Sequence, residues 1–299
     1  LYLFLFLMSL AYFFGGIALL YSDWLNGTPM DIFLAARKDY PLGKIYSSSW
    51  APYVFSYGGL LFDLLIVPLM VWRATRWVGL FLSITFHLSN VAMFGLATFP
   101  WFSLLLTTMF FDPSWPRKIP LLRDFMPWGI ERIPEFKPNK MLVSALCIYC
   151  LVHVSLPLRH FFYPGVTNWT EEGHMFSWRM MLRSKQGSLH FFVKKKNELI
   201  MEKIDPLQFI TPRQFDDLIG KPDLILQFAH LLRDHYRENK NENVDVYASC
   251  RVSLNGRPYR EMIIPGTNLA LEERSIRPYQ WVRPLREPVI NRLVRDTRR

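Results

Sequence analysis

The longest uncharged stretch of the chain runs from Trp77 to Phe111 and contains no Asp, Glu, Lys or Arg. A membrane-spanning helix needs about 20 predominantly apolar residues, so this stretch is too long for one ordinary span. Pro100 divides it, and we expect a helix over 77–98 followed by a broken return over 101–111. The backbone of a re-entrant piece must be satisfied by surrounding protein. The feature therefore predicts a helical bundle in a membrane.

Three further apolar stretches have the length of a span, at 1–21, 51–72 and 141–157. Residues 1–157 contain 11 Lys or Arg and 8 Asp or Glu, whereas residues 158–299 contain 24 and 17. A single soluble globule of uniform composition is thereby excluded. We expect a transmembrane α-helical bundle over 1–157 and a water-soluble domain after it.

Basic residues in the short loops predict the orientation, because such loops are usually cytoplasmic. Eight basic residues fall in two loops, one after the second span and one before the last. If the broken segment returns, both loops share the cytoplasmic side, and the soluble domain lies on the outer, periplasmic, extracellular or lumenal side. The eight residues are Arg73, Arg76, Arg117, Lys118, Arg123, Arg132, Lys137 and Lys140.

The soluble part is predicted to be a strand-rich α+β domain over 158–282, followed by a basic tail over 283–299. Asn255-Gly256 is a strong hairpin signal, and Thr211-Pro212 is typical of a helix start. The expected strands cover 188–195, 198–204, 244–254 and 258–264, and the expected helices run from 212 to Gly220 and from 222 to 236. The basic run Lys194–Lys196 and the tail are either solvated surface or attract anionic headgroups or an acidic polypeptide.

No motif of a nucleotide, zinc or other metal site occurs in the chain, and an outward-facing domain excludes a nucleic-acid partner. Cys147 and Cys150 are spaced C-x-x-C but have no partner pair, which favours structural thiols. Polar residues inside spans point to function or to helix packing. Asp63 is one, and Ser83, His87 and Asn90 are spaced to share one helical face.

Several long motifs match a known family. The run from Phe86 to Lys118, F-H-L-S-N-V-A-M-F-G-L-A-T-F-P-W-F followed by F-F-D-P-S-W-P-R-K, resembles the vitamin K-dependent gamma-glutamyl carboxylases and their bacterial relatives with a horizontally transferred transmembrane (HTTM) domain. The element at 22–27 resembles the D-W element of that family. The pair N-W-T at 168–170 and F-S-W-R-M-M at 176–181 is similar to the opening of its exterior domain.

The resemblance implies a carbon-carbon lyase that uses reduced vitamin K (the hydroquinone), O2 and CO2. Oxidation of the hydroquinone drives removal of a gamma proton from glutamate, and the carbanion captures CO2. The implied partners are membrane lipid and a glutamate-containing polypeptide. His87 and Asn90 are the candidate catalytic residues, with the imidazole accepting a hydrogen bond from the quinol and Asn90 orienting it. Phe99, Trp101 and Phe102 form either a quinone wall or a membrane-interface belt.

The chain departs from the family at the residue that acts as the catalytic base. The resemblance places a lysine in the helix before the D-W element, and the aligned residue is Leu19, which accepts no proton. The family also has earlier membrane helices, so the chain is expected to be a fragment that begins after them. The alternative function is a non-catalytic or divergent HTTM protein that lost carboxylation because Leu19 replaces the lysine. His87, Asp63 and Tyr21 are the local groups that can move protons.

Overall fold

The structure is a computed structural model, and it describes residues 1–112, 114–118, 139–196 and 198–285. Contacts within the chain define two compact units. We call the first the membrane unit and the second the soluble unit. They comprise Leu1–Tyr21 with Phe33–Leu158, and Ser22–Ile32 with Arg159–Arg299. The expected fold class, a membrane helical bundle followed by a strand-rich α+β domain, is confirmed.

The helices up to residue 158 differ sharply in length. In chain order they are α1 (Tyr2–Leu19), α2 (Ser22–Leu25), α3 (Met30–Ala35), α4 (Gly43–Tyr46), α5 (Ala51–Val71), α6 (Arg76–Phe94), α7 (Phe99–Thr107) and α8 (Lys140–Leu158). In the described part of the chain, four of them are long and apolar enough to cross a membrane, namely α1, α5, α6 and α8. Five of the eight basic loop residues used for orientation have side chains outside the described part.

The long uncharged stretch breaks earlier than the sequence predicted. Helix α6 ends at Phe94 rather than near Thr98, because Gly95 adopts a left-handed conformation with φ of 64° and caps the helix. Helix α7 then begins at Phe99 with Pro100 in its first turn, where a missing N–H costs nothing. A short 3-10 turn extends it to Phe110. The broken segment is therefore a separate short helix, and glycine rather than proline sets the break.

Helices α1 and α5 approach closely at two glycines. A Cβ on Gly16 would lie 2.6 Å from Leu64 Cδ2 and 3.3 Å from Asp63 Cβ, so a side chain there would have to displace Leu64. Gly15 similarly faces Asp63. Small residues at such positions let membrane helices pack against each other. Further along, the bundle interior is an apolar cluster formed by Met8, Tyr12, Ile66, Met70 and Phe110.

The soluble unit is built on one antiparallel sheet. Its elements after residue 158 are α9 (Thr167–Thr170), β1 (Lys185–Lys195), β2 (Glu202–Ile204), α10 (Pro212–Leu218), α11 (Pro222–Lys240), β3 (Val244–Leu254) and β4 (Arg260–Glu261). The strand order is β2-β1-β3-β4, and β1 pairs with β3 along its whole length. One face of the sheet is buried with α11, through residues such as Phe191, Val246, Ile225 and Leu232.

The turn signals were right, and the outer strands are shorter than expected. Asn255 and Gly256 both have positive φ, and the N–H of Arg257 donates to the carbonyl of Leu254, as in the tight turn that this dipeptide favours. Thr211 caps α10 in a reciprocal capping box with Gln214. Strand β2 begins only at Glu202, because the residues before it form an exposed loop. Strand β4 ends at Glu261, beyond which Ile263 forms an isolated bridge to Val282. Most of the predicted basic tail, 286–299, lies outside the described residues.

Candidate functional site

A buried hydrogen bond joins two membrane helices at the centre of the candidate site. The hydroxyl oxygen of Tyr12 on α1 lies 2.9 Å from Nε2 of His87 on α6, and His87 is fully buried. Its other ring nitrogen, Nδ1, has no hydrogen-bond partner among the residues that the structure describes. A neutral imidazole carries one proton. When that proton sits on Nε2 and is donated to Tyr12, Nδ1 is a proton acceptor.

Three phenylalanine rings enclose the imidazole. The ring of Phe86 on α6 lies 5.4 Å from that of His87, Phe62 on α5 lies 5.9 Å away, and Phe99 on α7 lies 6.2 Å away. Phe62 and Phe86 also stack on each other, with centroids 3.9 Å apart. In such apolar surroundings a hydrogen bond is electrostatically stronger than in water. The site thus offers flat apolar walls around one polar edge.

Further polar groups surround the Tyr12–His87 pair. Ser83 lies one turn before His87 on α6 and is fully buried. Ser103 and Thr107 of α7 are buried and lie beside the Tyr12 hydroxyl. Asp63 of α5 is close enough to Tyr12 for an electrostatic interaction. We call these six residues, Tyr12, Asp63, Ser83, His87, Ser103 and Thr107, the intramembrane polar cluster.

The structure distributes the predicted site residues unevenly around this cluster. His87 is at its centre, and Phe99 is one of its walls. Asn90 is half-buried on α6, and the hydrogen bond that orients the imidazole, expected from Asn90, joins Nε2 to the hydroxyl of Tyr12. Trp101 and Phe102 are each 56% exposed, and neither forms a ring contact with His87 in the described part of the chain. Their exposure is typical of side chains that face lipid.

Leu19, the residue aligned with the family base, is buried at the C-terminal end of α1. Its aliphatic side chain adds no proton acceptor to the membrane unit. Tyr12 lies two turns earlier on the same helix and was missed from sequence. A tyrosine inside an apolar helix is a possible signal of such a pair, because a buried tyrosine hydroxyl usually requires a hydrogen-bond partner. The same stretch, however, also contains Tyr2 and Tyr21, so its sequence does not single out Tyr12.

The soluble unit contains a buried ionic cluster around Glu171. Lys185 Nζ lies 2.6 Å from Glu171 Oε1, and Arg183 forms a two-pronged ion pair with the same carboxylate. Lys185 also donates to the carbonyl oxygens of Trp169 and Gly220. His174 Nε2 lies 3.0 Å from Arg183 Nη2. The cluster ties the N-W-T segment to the start of β1.

The ionisation of this cluster follows from burial and neighbouring charge. Burial alone raises the pKa of Glu171, but Lys185 and Arg183 together hold that pKa below its ordinary value. Burial lowers the pKa of Lys185 to about 8, against the opposing attraction of Glu171. Burial, helped by Arg183, lowers the pKa of His174 to about 4. At neutral pH the cluster therefore holds a neutral histidine beside a charged arginine and glutamate.

Two family models match the chain. The model described as HTTM domain matches residues 1–115. The model described as Vitamin K-dependent gamma-carboxylase, lumenal domain, matches residues 138–288, which is just over half of the 299 residues. A comparison with solved structures found no significant match. In the described residues, no group of three or more His, Cys, Asp or Glu side chains is arranged to hold a metal ion.

Proposed function

Because the chain belongs to the vitamin K-dependent gamma-carboxylase family, we propose that its membrane unit oxidises a reduced quinone with O2 and couples this oxidation to carboxylation of glutamate in a partner polypeptide. The protein is an integral membrane protein with a C-terminal domain of the lumenal type. The observation that carries the proposal is the buried Tyr12–His87 hydrogen bond inside an aromatic enclosure.

His87 and the phenylalanine rings around it fit a reduced quinone. Such a molecule combines a flat apolar ring with hydroxyl groups and, when bound, supplies the reducing equivalents for O2. Phe62, Phe86 and Phe99 offer surfaces for the ring. His87 Nδ1, which has no hydrogen-bond partner among the described residues, offers an acceptor for a hydroxyl proton.

The protein side chains would then hold and move one proton. When Nδ1 of His87 takes up the proton, the ring becomes an imidazolium, and its Nε2–H donates a hydrogen bond to Tyr12. The hydrogen bond with Tyr12 uses Nε2, so Nδ1 is the ring nitrogen left to take up the proton. Asp63 lies close enough to Tyr12 for an electrostatic interaction. The exclusion of water by the surrounding rings strengthens each of these interactions.

A specific observation favours the second candidate function, a divergent relative that no longer carboxylates. Leu19 is buried and aliphatic where the family resemblance requires a base. On this hypothesis the bundle and the polypeptide-binding domain persist without proton abstraction from the quinol. The two candidates differ in whether His87 and Asp63 replace the lysine.

The experiment uses the full-length protein in lipid nanodiscs with reduced vitamin K, O2, labelled bicarbonate and a glutamate-containing peptide. We expect label in the peptide together with quinone oxidation. His87→Ala should lower kcat by about 100-fold, which is the low end for loss of a general base. Tyr12→Phe should lower kcat by about tenfold through loss of one hydrogen bond. The matched control is Thr85→Ala, on the exposed face of the same helix.

Each outcome separates the candidates. Quinone oxidation without label would exclude carboxylation and support a different quinone-linked oxidation. Absence of both would exclude the proposed enzyme and favour the non-catalytic relative. Equal losses in His87→Ala and Thr85→Ala would show that the effect is structural and would remove His87 from the proton pathway.

A further inference from the structure

The loop between β1 and β2 exposes three consecutive large apolar side chains. Leu199 is 96% exposed, Ile200 80% and Met201 47%. Single exposed apolar residues are common on protein surfaces, but a contiguous group of them indicates contact with another apolar phase. We call residues 198–201 the β1–β2 loop.

Lysines flank this apolar group on both sides. Between residues 194 and 203 the chain has four lysines and two glutamates, the lysines being Lys194, Lys195, Lys196 and Lys203. The two glutamates already have partners, because Glu198 pairs with Lys195 at 3.5 Å and Glu202 accepts a hydrogen bond from Tyr236. Lys196 is exposed and forms no ion pair with any described residue. Lys195 also pairs with Glu242 at 3.3 Å, so the flanking lysines that form no ion pair with a described residue include Lys196 and Lys203.

The base of the loop is rigid. Strand β1 pairs with β3 from Lys185 to Lys195, and Phe191 pairs with Ile204 of β2. Phe191 and Val193 are buried in the core of the soluble unit. Lys194 lies opposite Asp245 in this register, so its charge is partly balanced. The apolar residues thus project from the end of a packed sheet and are held away from the core.

We propose that the β1–β2 loop is a membrane-surface anchor of the soluble unit. Leu199, Ile200 and Met201 enter the boundary between headgroups and acyl chains, and Lys196 and Lys203 bind anionic headgroups. Elements that lie in a membrane interface combine an apolar face with flanking Lys or Arg in this way. The same chain carries four helices of membrane-spanning length, so the soluble unit is covalently tethered to a bilayer. The inference is independent of the proposed enzymatic function.

The test measures how close the loop lies to lipid in the intact protein. Cys147 and Cys150 are replaced by alanine, Cys250 is buried, and Leu199→Cys carries an environment-sensitive fluorophore. The protein is placed in nanodiscs that contain anionic lipid and a nitroxide quencher at shallow depth. The matched control is Leu271→Cys, which is 78% exposed but is followed by Glu272 and Glu273. We expect quenching at position 199 and none at position 271.

Charge variants test the electrostatic part. Lys196→Glu should weaken lipid engagement of the loop by at least about fivefold, because one lysine near an anionic surface contributes about that factor. Raising the salt concentration to about 1 M shortens the screening length to about 3 Å and should likewise weaken lipid engagement of the loop. The control is Lys221→Glu, which reverses the charge of a lysine that pairs with Asp217, and it should leave lipid engagement of the loop unchanged.

Three results would overturn the proposal. The first is a probe at position 199 that nitroxide lipid does not quench. The second is quenching that is equal in purely zwitterionic discs and insensitive to Lys196→Glu. The third is a probe signal in detergent that depends on protein concentration, because it would show that a second copy of the chain covers the loop. Quenching restricted to position 199 and weakened by Lys196→Glu would support the proposal.

Discussion

Asp23 and Arg257 form a buried, two-pronged ion pair within the soluble unit. Arg257 Nη2 donates to Asp23 Oδ1 at 2.7 Å, and Nη1 donates to Oδ2 at 2.8 Å. Asn255 donates to the same carboxylate at 2.8 Å, and its own side-chain oxygen accepts from the backbone N–H of Ser184. The D-W element near the start of the chain is thereby fixed to the turn after β3.

Replacing Arg257 with Met should destabilise the soluble unit by about 3 to 5 kcal/mol, because the carboxylate of Asp23 is left buried without its charge partner. The measurement is the thermal unfolding midpoint of the full chain in detergent, followed by limited proteolysis of the soluble unit. The double variant Asp23→Leu/Arg257→Met removes both charges and should recover much of the loss.

The matched control is the ion pair between Arg274 and Asp223. Arg274 Nε lies 2.7 Å from Asp223 Oδ1, which is as short as the contact between Arg257 Nη2 and Asp23 Oδ1, but the two side chains are 58% and 37% exposed. Arg274→Ala should therefore cost only about 0 to 1 kcal/mol. If Arg257→Met loses no more stability than Arg274→Ala, the interpretation that burial makes the Asp23 pair strong would be contradicted.

Gly16→Ala should destabilise the packing of α1 on α5 by about 1 to 3 kcal/mol, because the added Cβ overlaps Leu64 and crowds Asp63 Cβ. Gly58→Ala on α5 is the control, since nothing lies within 4 Å of its added Cβ. There alanine should be neutral or stabilising by up to about 1 kcal/mol. Resistance to unfolding in a mild-to-harsh detergent series measures both, and equal resistance would exclude a tight helix contact at Gly16.

The fold class was predictable because its signals are local. Four spans follow from length and lack of charge, and the sheet follows from alternation and from the Asn255-Gly256 turn. The start of β2 was not predictable, because the stretch Glu198–Met201 has the apolar content of a strand but lies outside the pairing with β1. Local composition therefore fixed the number and type of elements more closely than their ends.

The candidate site was only half predictable. His87 was found because a histidine inside an uncharged helix is costly to bury. Its partner Tyr12 is 75 residues away, and no local pattern links the two. The Glu171 cluster has the same limitation, because the sequence shows the charges but not that Lys185 is buried against the carbonyls of Trp169 and Gly220. Pairings of this kind arise from packing of distant segments.

The soluble unit should lose stability as the pH falls from about 6.5 towards 4, through His174. Burial lowers the pKa of His174 in the folded protein to about 4, so the unfolded chain binds the proton first. The contribution of His174 to the free energy of unfolding is fully present above the ordinary histidine pKa of about 6.5. It amounts to at most about 3 kcal/mol. His174→Gln keeps an acceptor for Arg183 and should flatten the dependence of the unfolding midpoint between pH 6.5 and 5.

The control for this pH dependence is His190→Gln, on the exposed face of β1. It should leave the slope of the unfolding midpoint against pH as it is in the wild type. If His174→Gln also leaves that slope unchanged, the proton is taken up by another group, and His174 has no part in the acid sensitivity.

Leu19→Lys restores a base at the position where the family resemblance places one. Leu19 is buried at the end of α1, and burial favours the neutral amine of a lysine, which can accept a proton. If the base is what the chain lacks, the variant should raise label incorporation by about 100-fold or more over the wild type.

Ala18→Lys places the same charge one residue earlier, on a different side of the helix, and is the matched control. Label incorporation in the full-length protein in nanodiscs is the measurement. An increase in Leu19→Lys alone would show that the rest of the catalytic machinery is intact and that only the base was lost. A wild type that already fixes label, and that neither lysine improves, would show that the intramembrane polar cluster has taken over proton abstraction.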